Sequence, residues 1–195
     1  MSRIFSGCGI TEGRLIAVVG PSGLGKDSVM AGLVARQAKL HLVRRVITRP
    51  ADAGGEAFDA VTEQEFAQRV ASQTFALHWT AHGLRYGIPQ QQLTCLASGG
   101  DVLVNLSRDV LRHADRQFAK MIVLSLTAPS SVLVARLAQR GRENAEQMSA
   151  RLARSDFAVP LGLRLLQVDN SGALDQTIKT TLSALYPDSA NRDIS

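Results

Sequence analysis

Short, uninterrupted apolar runs alternate along this chain with stretches in which apolar residues recur every three or four positions. Such runs are typical of strands buried on both faces, and the longer spacing is typical of amphipathic helices. The runs predict strands over residues 15–20, 42–47, 75–79, 102–106, 122–126 and 165–168. The helical spacing begins near Lys26 and recurs over residues 63–71, 130–140, 145–156 and 173–185. This alternation predicts an α/β fold, with an open parallel sheet and helices on both faces.

The length of 195 residues suits one domain with small inserted lobes. We expect a flexible leader over residues 1–13, one folded domain over residues 14–186 and a polar, frayed tail over residues 187–195. No apolar stretch approaches the roughly 18 residues of a membrane span, and the start lacks the apolar core of a secretory signal. Cys8 and Cys95 lie far apart, so a disulfide framework is not expected. These features favour a cytoplasmic protein without a membrane partner.

The direction of the predicted strands sorts the polar residues beside them. In a parallel α/β sheet, ligands bind beyond the carboxyl ends of the strands. Asn105, Ser107 and Arg108 follow a predicted strand, so we expect them to face a bound substrate. Asp101 precedes the same strand and should lie at the opposite edge of the sheet.

Residues 20–26 fit the pattern G-x-x-x-x-G-K, between a predicted buried strand and a predicted helix. Glycines there allow successive backbone N–H groups to point inward and cradle phosphate oxygens. The helix N-terminus adds partial positive charge, and Lys26 can reach the outer phosphates. The alternative is a glycine-rich turn with an exposed lysine. The nucleotide-binding residues predicted here are Gly20, Pro21, Ser22, Gly23, Leu24, Gly25, Lys26, Asp27 and Ser28.

Asp27 stands where this pattern ordinarily has the Ser or Thr whose hydroxyl binds magnesium. A carboxylate is a good ligand for Mg²⁺. The neighbouring strand ends in Asn105 and therefore lacks its usual acidic residue. Asp27 could supply that carboxylate, or it could cap the first helical turn, where an anion is favoured. Both interpretations remain open.

The net charge of +5 and the clustering of the arginines favour a site that binds several phosphates. The chain has no lysine run, and its aromatic content of 5% offers few stacking platforms for nucleic acid. Arg44, Arg45 and Arg49 form one cluster, and a second spans residues 136–154. We therefore expect no nucleic-acid partner.

Three arginines of the second cluster, Arg140, Arg142 and Arg151, flank a polar turn between two predicted helices. Guanidinium groups bind phosphate oxygens bidentately and stay charged at neutral pH. We expect a lid that closes over ATP and brings these three side chains to the transferring phosphoryl group. The alternative, a solvated basic face paired with nearby glutamates, suits Arg136 and Arg154 better.

These motifs resemble the guanylate kinase family over residues 14 to about 185. In family order they are GPSGLGKDS at 20–28, R-x-x-T-R-P-x(4)-G-E at 45–56, G-L-R-Y-G at 83–87 and RLAQRGRENAEQMSARLARS at 136–155. The resemblance implies that Arg45 and Arg49 grip the acceptor phosphate, that Tyr86 hydrogen-bonds it, and that Asn170 lies near the adenine of ATP. It also implies an acceptor lobe over about residues 40–95 and a lid over about residues 138–152.

The chain departs from guanylate kinases at the positions where those enzymes bind the guanine base of the acceptor. They carry a tyrosine shortly after G-E and an acidic residue after the central strand, whereas residues 55–61 contain no tyrosine and Asn105 ends the strand. An acceptor with phosphates but no base fits this pattern. The profile resembles the ribose 1,5-bisphosphate phosphokinases of bacterial phosphonate degradation, through W-x-A-x-G-L-x-Y-G at 79–87, DVLVN-x-SR at 101–108 and RGRENA at 140–145. This resemblance implies ATP- and Mg²⁺-dependent phosphorylation of ribose 1,5-bisphosphate to 5-phospho-α-D-ribosyl 1-diphosphate (PRPP).

Other functions remain open at this stage. A guanylate kinase with a divergent base site is the nearest alternative, and a non-catalytic guanylate-kinase-like binding module is another. Retention of Lys26 and of the lid arginines argues against the module. His78 and His82 receive no chemical role. Trp79 could stack on a sugar face or lie in the core, and the core is favoured because a lone tryptophan is usually buried. Whether the chain forms a homodimer is left undecided by the sequence.

Overall fold

The computed structural model describes residues 13–21, 23–51, 56–139 and 158–187. Contacts divide the chain into two compact units, the first formed by residues 1–16 and 39–121, the second by residues 17–38 and 122–195. The predicted helix over 145–156 lies outside the described residues, as do most of the predicted leader, lid and tail. The predicted domain boundaries therefore stay a prediction.

The first unit contains most of the strands. Its elements in chain order are the start of β1 (Leu15–Val19), β2 (Leu40–Leu42), β3 (Val46–Ile47), β4 (Asp59–Ala60), α2 (Glu63–Ala71), β5 (Phe75–Ala81), β6 (Leu84–Pro89), a 3-10 helix (Gln90–Ser98), β7 (Asp101–Asn105), a second 3-10 helix (Arg108–Val110) and α3 (Leu111–Gln117). Strand β2 pairs with β7 in parallel. All of β7 except Asn105 is buried, as its apolar run predicts.

The second unit carries the end of β1, α1 (Lys26–Arg36), nearly all of β8 (Met121–Thr127), α4 (Ser130–Gln139), β9 (Leu165–Asp169) and α5 (Leu174–Leu185). Strands β8 and β9 pair in parallel, as predicted for the apolar runs at 122–126 and 165–168. Helices α1 and α5 pack so closely that a Cβ on Gly32 would lie 2.2 Å from Ile178. No helix among the described residues is long and apolar enough to cross a membrane.

Residues 46–89 of the first unit contain a separate sheet, with strand order β4-β3-β6-β5. The run over 42–47 was predicted as one strand, but Val43–Arg45 interrupt it, so that β2 joins the parallel sheet and β3 joins this second one. The predicted strand at 75–79 also lies in this sheet, antiparallel to β6. Strand β6 was not predicted, because its glycine, Gly87, and its final Pro89 weaken the apolar pattern. The tight turn His82-Gly83, with φ of 54° and 74°, closes the β5–β6 hairpin.

Helix α2 begins and ends where its apolar spacing predicts. Thr62 accepts a hydrogen bond from the Glu65 backbone N–H, and the Glu65 carboxylate accepts one from the Thr62 backbone N–H, which completes a capping box. The hydrogen bonds that the Thr62 backbone N–H and hydroxyl donate to the Glu65 carboxylate lower the pKa of that carboxyl group. Phe66 on this helix packs against Phe75 and Val46, and this cluster fixes the helix on the second sheet.

Candidate active site

The predicted phosphate loop, residues 20–25, connects the buried strand β1 to helix α1. Gly23 and Gly25 have φ of 87° and 84°, a left-handed conformation that side chains with a Cβ rarely adopt. A Cβ on Gly20 would lie 2.8 Å from the carbonyl oxygen of Leu126, so the loop requires glycine there as well. Left-handed glycines of this kind are typical of loops whose backbone N–H groups bind phosphate, so these angles support the predicted phosphate loop.

Lys26 is the first residue of α1, and its side chain folds back across the loop. Its Nζ atom donates hydrogen bonds of 3.0 Å to the carbonyl oxygens of Gly20 and Pro21. The ammonium group thus lies at the mouth of the predicted phosphate cradle. Asp27 and Ser28 follow in the first turn of α1, and both are exposed.

Asp27 is the acidic residue of that first turn. Among the described residues, no group of three or more His, Cys, Asp or Glu side chains could hold a metal ion. Mg²⁺ is commonly bound by one or two carboxylates together with substrate phosphates and water, so a single carboxylate is compatible with such a site. Metal binding by Asp27 and capping of the first helical turn both stay predictions.

Asn170 supports the phosphate loop from within the protein. Its side chain is buried, its Nδ2 atom donates to the Leu24 carbonyl at 2.7 Å, and its Oδ1 atom accepts from the Thr177 hydroxyl at 2.9 Å. Arg136, for which a solvated face was expected, donates to the same Leu24 carbonyl at 3.3 Å and to the Ser171 carbonyl at 3.4 Å. These hydrogen bonds show that Asn170 supports the loop. Its proximity to the adenine of ATP, which the resemblance implies, stays a prediction.

The first unit carries the residues predicted to bind the acceptor. The Arg45 side chain is buried, and its Nε and Nη2 atoms bind the two carboxylate oxygens of Glu56. Glu56 orients the guanidinium, and it was not among the predicted site residues, although it ends the quoted R-x-x-T-R-P-x(4)-G-E motif.

Tyr86 and Trp79 form a cross-strand pair beside Arg45. Their rings are stacked, with centroids 5.2 Å apart and an interplanar angle of 10°. The Arg45 guanidinium carbon lies 5.0 Å from the Tyr86 ring centroid and 6.0 Å from that of Trp79. Trp79 also donates from Nε1 to the Ser107 hydroxyl at 2.9 Å. Trp79 is half-buried, so part of its ring remains accessible, and its interpretation as a core residue stays a prediction.

Other predicted acceptor residues lie in the same unit. Arg49 is half-buried, with its guanidinium carbon 4.2 Å from the Phe58 ring centroid. Asn105 ends β7, and Arg108 opens the 3-10 helix that follows it; both are half-buried. Of the predicted acceptor residues, Arg45, Tyr86 and Ser107 all lie next to Trp79.

Asp101, expected to have no part in the chemistry, begins β7 and is buried. Its carboxylate accepts from the Arg14 backbone N–H at 2.7 Å and from the Arg14 guanidinium. This ion pair ties the start of β1 to the start of β7. The predicted lid residues Arg140, Arg142 and Arg151, and Ser22 of the loop, lie outside the described residues.

Comparison with known proteins identifies close relatives. The chain is 53% identical over 168 residues to ribose 1,5-bisphosphate phosphokinase PhnN of Ruegeria sp. (strain TM1040), covering 86% of this chain and 88% of the relative. It is 46% identical over 183 residues to the protein of the same name from Pseudomonas paraeruginosa (strain DSM 24068 / PA7), covering 91% of this chain and 98% of the relative. No family model matches the chain.

Among solved structures, guanylate kinase from Anaplasma phagocytophilum aligns with a TM-score of 0.64 at 16% identity, covering 91% of this chain and 87% of that one. A gluconokinase from Sinorhizobium meliloti 1021 aligns with a TM-score of 0.52 at 20% identity, covering 93% of this chain and 96% of that one. At these identities the likeness shows the fold alone. It confirms the predicted α/β fold with the parallel sheet of the phosphate-loop kinases.

Proposed function

The chain belongs to the ribose 1,5-bisphosphate phosphokinase family, and from this premise we propose that it phosphorylates ribose 1,5-bisphosphate with ATP to form PRPP. The observation that carries the proposal is the identity of 53% over 86% of the chain to a relative of that name. The clustering of Arg45, Tyr86 and Ser107 supports it, because these groups suit a phosphorylated acceptor.

The reaction needs no general base. An oxygen of the acceptor's 1-phosphate is already anionic at neutral pH; it attacks the γ-phosphorus of ATP, and the bond to the bridging oxygen breaks to release ADP. The protein's task is then to align two anions that repel each other and to neutralise charge as the phosphoryl group moves. Lys26, held at the mouth of the phosphate loop, suits the second task.

The loop residues suit ATP, since left-handed glycines followed by a helix N-terminus are features that commonly bind phosphate oxygens. When bound, Mg²⁺ would offset the charge of the outer phosphates. Asp27 is the residue we propose to hold it, because its carboxylate is exposed in the first turn of α1. The acceptor would be bound by six residues of the first unit: Arg45, Arg49, Tyr86, Asn105, Ser107 and Arg108.

We assign Arg140, Arg142 and Arg151 to a lid that supplies cationic groups to the phosphoryl group in transfer. Replacing each by Lys keeps the charge but removes the bidentate guanidinium. We expect each Lys variant to lower kcat more than it weakens ATP binding. Equal activity of all three variants and wild type, at matched salt, would mean that the cluster is a solvated face.

Phosphorus NMR with ATP, Mg²⁺ and a panel of acceptors tests the function directly. We expect ribose 1,5-bisphosphate to be converted to a 1-diphosphate, and GMP to react far more slowly or not at all. Comparable specificity constants for the two would make the protein a guanylate kinase, and no transfer to any acceptor would favour a binding module. The cytoplasmic location and the oligomeric state stay predictions, which fractionation and size-exclusion chromatography would test.

A further inference from the structure

Trp79 is the one tryptophan in the chain, and it lies within the cluster proposed to bind the acceptor. Its indole ring stacks on Tyr86, and its Nε1 atom donates to Ser107, which is 28 residues away in sequence. Tyr86 and Ser107 are both proposed acceptor residues. Trp79 therefore connects the β5–β6 hairpin to the segment that follows β7.

Burial of apolar surface alone does not explain why a tryptophan occupies position 79. On the same side of the hairpin, Leu77 and Ile88 are only 2% and 1% exposed, and they form its buried contacts. Trp79 and its partner Tyr86 are half-buried, so part of each ring remains accessible. Aromatic rings with a polar group are common where one edge meets protein and the other meets a ligand or solvent.

The chemistry around the indole suits a phosphorylated sugar. Arg45 provides cationic charge within 6.0 Å of the indole centroid. Ser107 accepts the indole N–H, so its own hydroxyl hydrogen remains available as a donor to an acceptor oxygen. A phosphate bound by Arg45 and Tyr86 would place the attached sugar near the indole, because both residues lie beside Trp79. The apolar C–H face of a sugar packs well on an aromatic ring.

We propose that Trp79 is a specificity-determining residue of the acceptor site, whose indole packs against the sugar ring while its Nε1 atom positions the Ser107 hydroxyl. This inference rests on the proposed function and adds a residue that distinguishes a sugar bisphosphate from an acceptor without a ring. It concerns binding of the acceptor and not of ATP.

Intrinsic fluorescence tests the contact without turnover, because all tryptophan emission comes from Trp79. Titration with ribose 1,5-bisphosphate in the absence of ATP should produce a saturable change in emission. Inorganic pyrophosphate, which has no sugar, should produce a markedly smaller change at matched ionic strength. If calorimetry detects ribose 1,5-bisphosphate binding and the emission does not change, the inference fails while the proposed function stands. If phosphorus NMR detects no transfer to this sugar, both fail.

Variants separate specificity from folding. Trp79→Phe keeps a stacked ring and loses the bond to Ser107, whereas Trp79→Leu loses both. We expect Trp79→Leu to raise the KM for ribose 1,5-bisphosphate about tenfold or more and to change the KM for ATP less than about twofold, with Trp79→Phe between it and wild type. Thr80→Val, an exposed neighbour on the opposite side of β5, is the matched control and should resemble wild type.

A purely structural role would instead lower the melting temperature without shifting the acceptor KM selectively. A folded Trp79→Leu enzyme with the wild-type KM for the acceptor would overturn the proposal. If Trp79→Leu does not fold, Trp79→Phe tests the proposal in its place, by comparing the change in the KM for ribose 1,5-bisphosphate with the change in the KM for ATP. The fluorescence titration of the wild-type protein tests the proposal independently.

Discussion

Replacing Asn170 by Asp should weaken the phosphate loop without changing the size of the side chain. Asn170 is 3% exposed, and its Nδ2 atom donates to the Leu24 carbonyl at 2.7 Å. The variant keeps an oxygen that can accept from Thr177, but it places a second oxygen where the donor stood. Two acceptors then face each other at hydrogen-bonding distance in a buried position.

The size of the effect follows from the contacts. Losing the hydrogen bond costs about 1 kcal/mol, and facing a buried carbonyl with an unsatisfied acceptor adds about 1–3 kcal/mol. Arg136 still donates to the Leu24 carbonyl at 3.3 Å, so the lower part of that range applies. A total of about 2 kcal/mol corresponds to a melting temperature lower by about 4–8 °C in a chain of this size. We also expect the Kd for ATP to rise about tenfold, because Leu24 belongs to the loop.

The pH dependence of the melting temperature tests whether the lost donor to Leu24 causes the instability of the Asn170→Asp variant. In the Asn170→Asp variant, protonation of the introduced carboxyl group would restore an O–H donor toward Leu24. The folded state therefore favours protonation and raises the pKa of that carboxyl above its unfolded value of about 3.9. The stability contributed by the proton is present below the unfolded pKa and is lost as the pH rises through the folded pKa. The difference in melting temperature between variant and wild type should therefore narrow as the pH falls from about 7.5 to about 4.

Thermal unfolding by circular dichroism at both pH values, with ATP calorimetry, measures these effects. Thr177→Val is the matched control, since it removes the other partner of Asn170 and leaves the Leu24 bond in place. It should lower stability by about 1 kcal/mol and affect ATP binding less. Wild-type stability and ATP affinity in Asn170→Asp at neutral pH would refute the reasoning. Equal loss of ATP affinity in both variants would refute the specific role of the Leu24 bond.

Three further predictions concern the phosphate loop and the second sheet. Lys26→Ala should lower kcat more than about a hundredfold, about 3 kcal/mol, with an unchanged circular dichroism spectrum, and an unimpaired variant would contradict the phosphate-loop assignment. Asp27→Asn should raise the magnesium concentration for half-maximal rate at saturating ATP if the carboxylate helps to hold the ion; a titration identical to wild type would favour the helix cap. Gly87→Ala should lower the free energy of unfolding by about 1–3 kcal/mol in a urea titration, because its Cβ would lie 2.5 Å from the Phe75 ring. Gly172→Ala, which meets nothing within 4 Å, should change it little, and similar losses in the two variants would exclude this clash as the cause.

The phosphate loop could be predicted because its determinants are local. An apolar run forms the strand, glycines permit the left-handed turn, and Lys26 follows at a fixed spacing. The parallel α/β class could be predicted for the same reason, since each strand and helix has its own periodicity. The split of residues 42–47 could not, because only pairing with distant strands decides where β2 ends and β3 begins.

The amino-acid sequence by itself determined most of the element types, the strand–turn–helix that carries the predicted phosphate loop, and the family to which the chain belongs. Only the tertiary structure decided which side chains meet across long separations. It places Asn170 behind Leu24, 146 residues away, and Trp79 against Tyr86 and Ser107. The physical reason is that periodicity reports which face of an element is buried, whereas hydrogen bonds and ring contacts between elements depend on the register and packing of the whole unit.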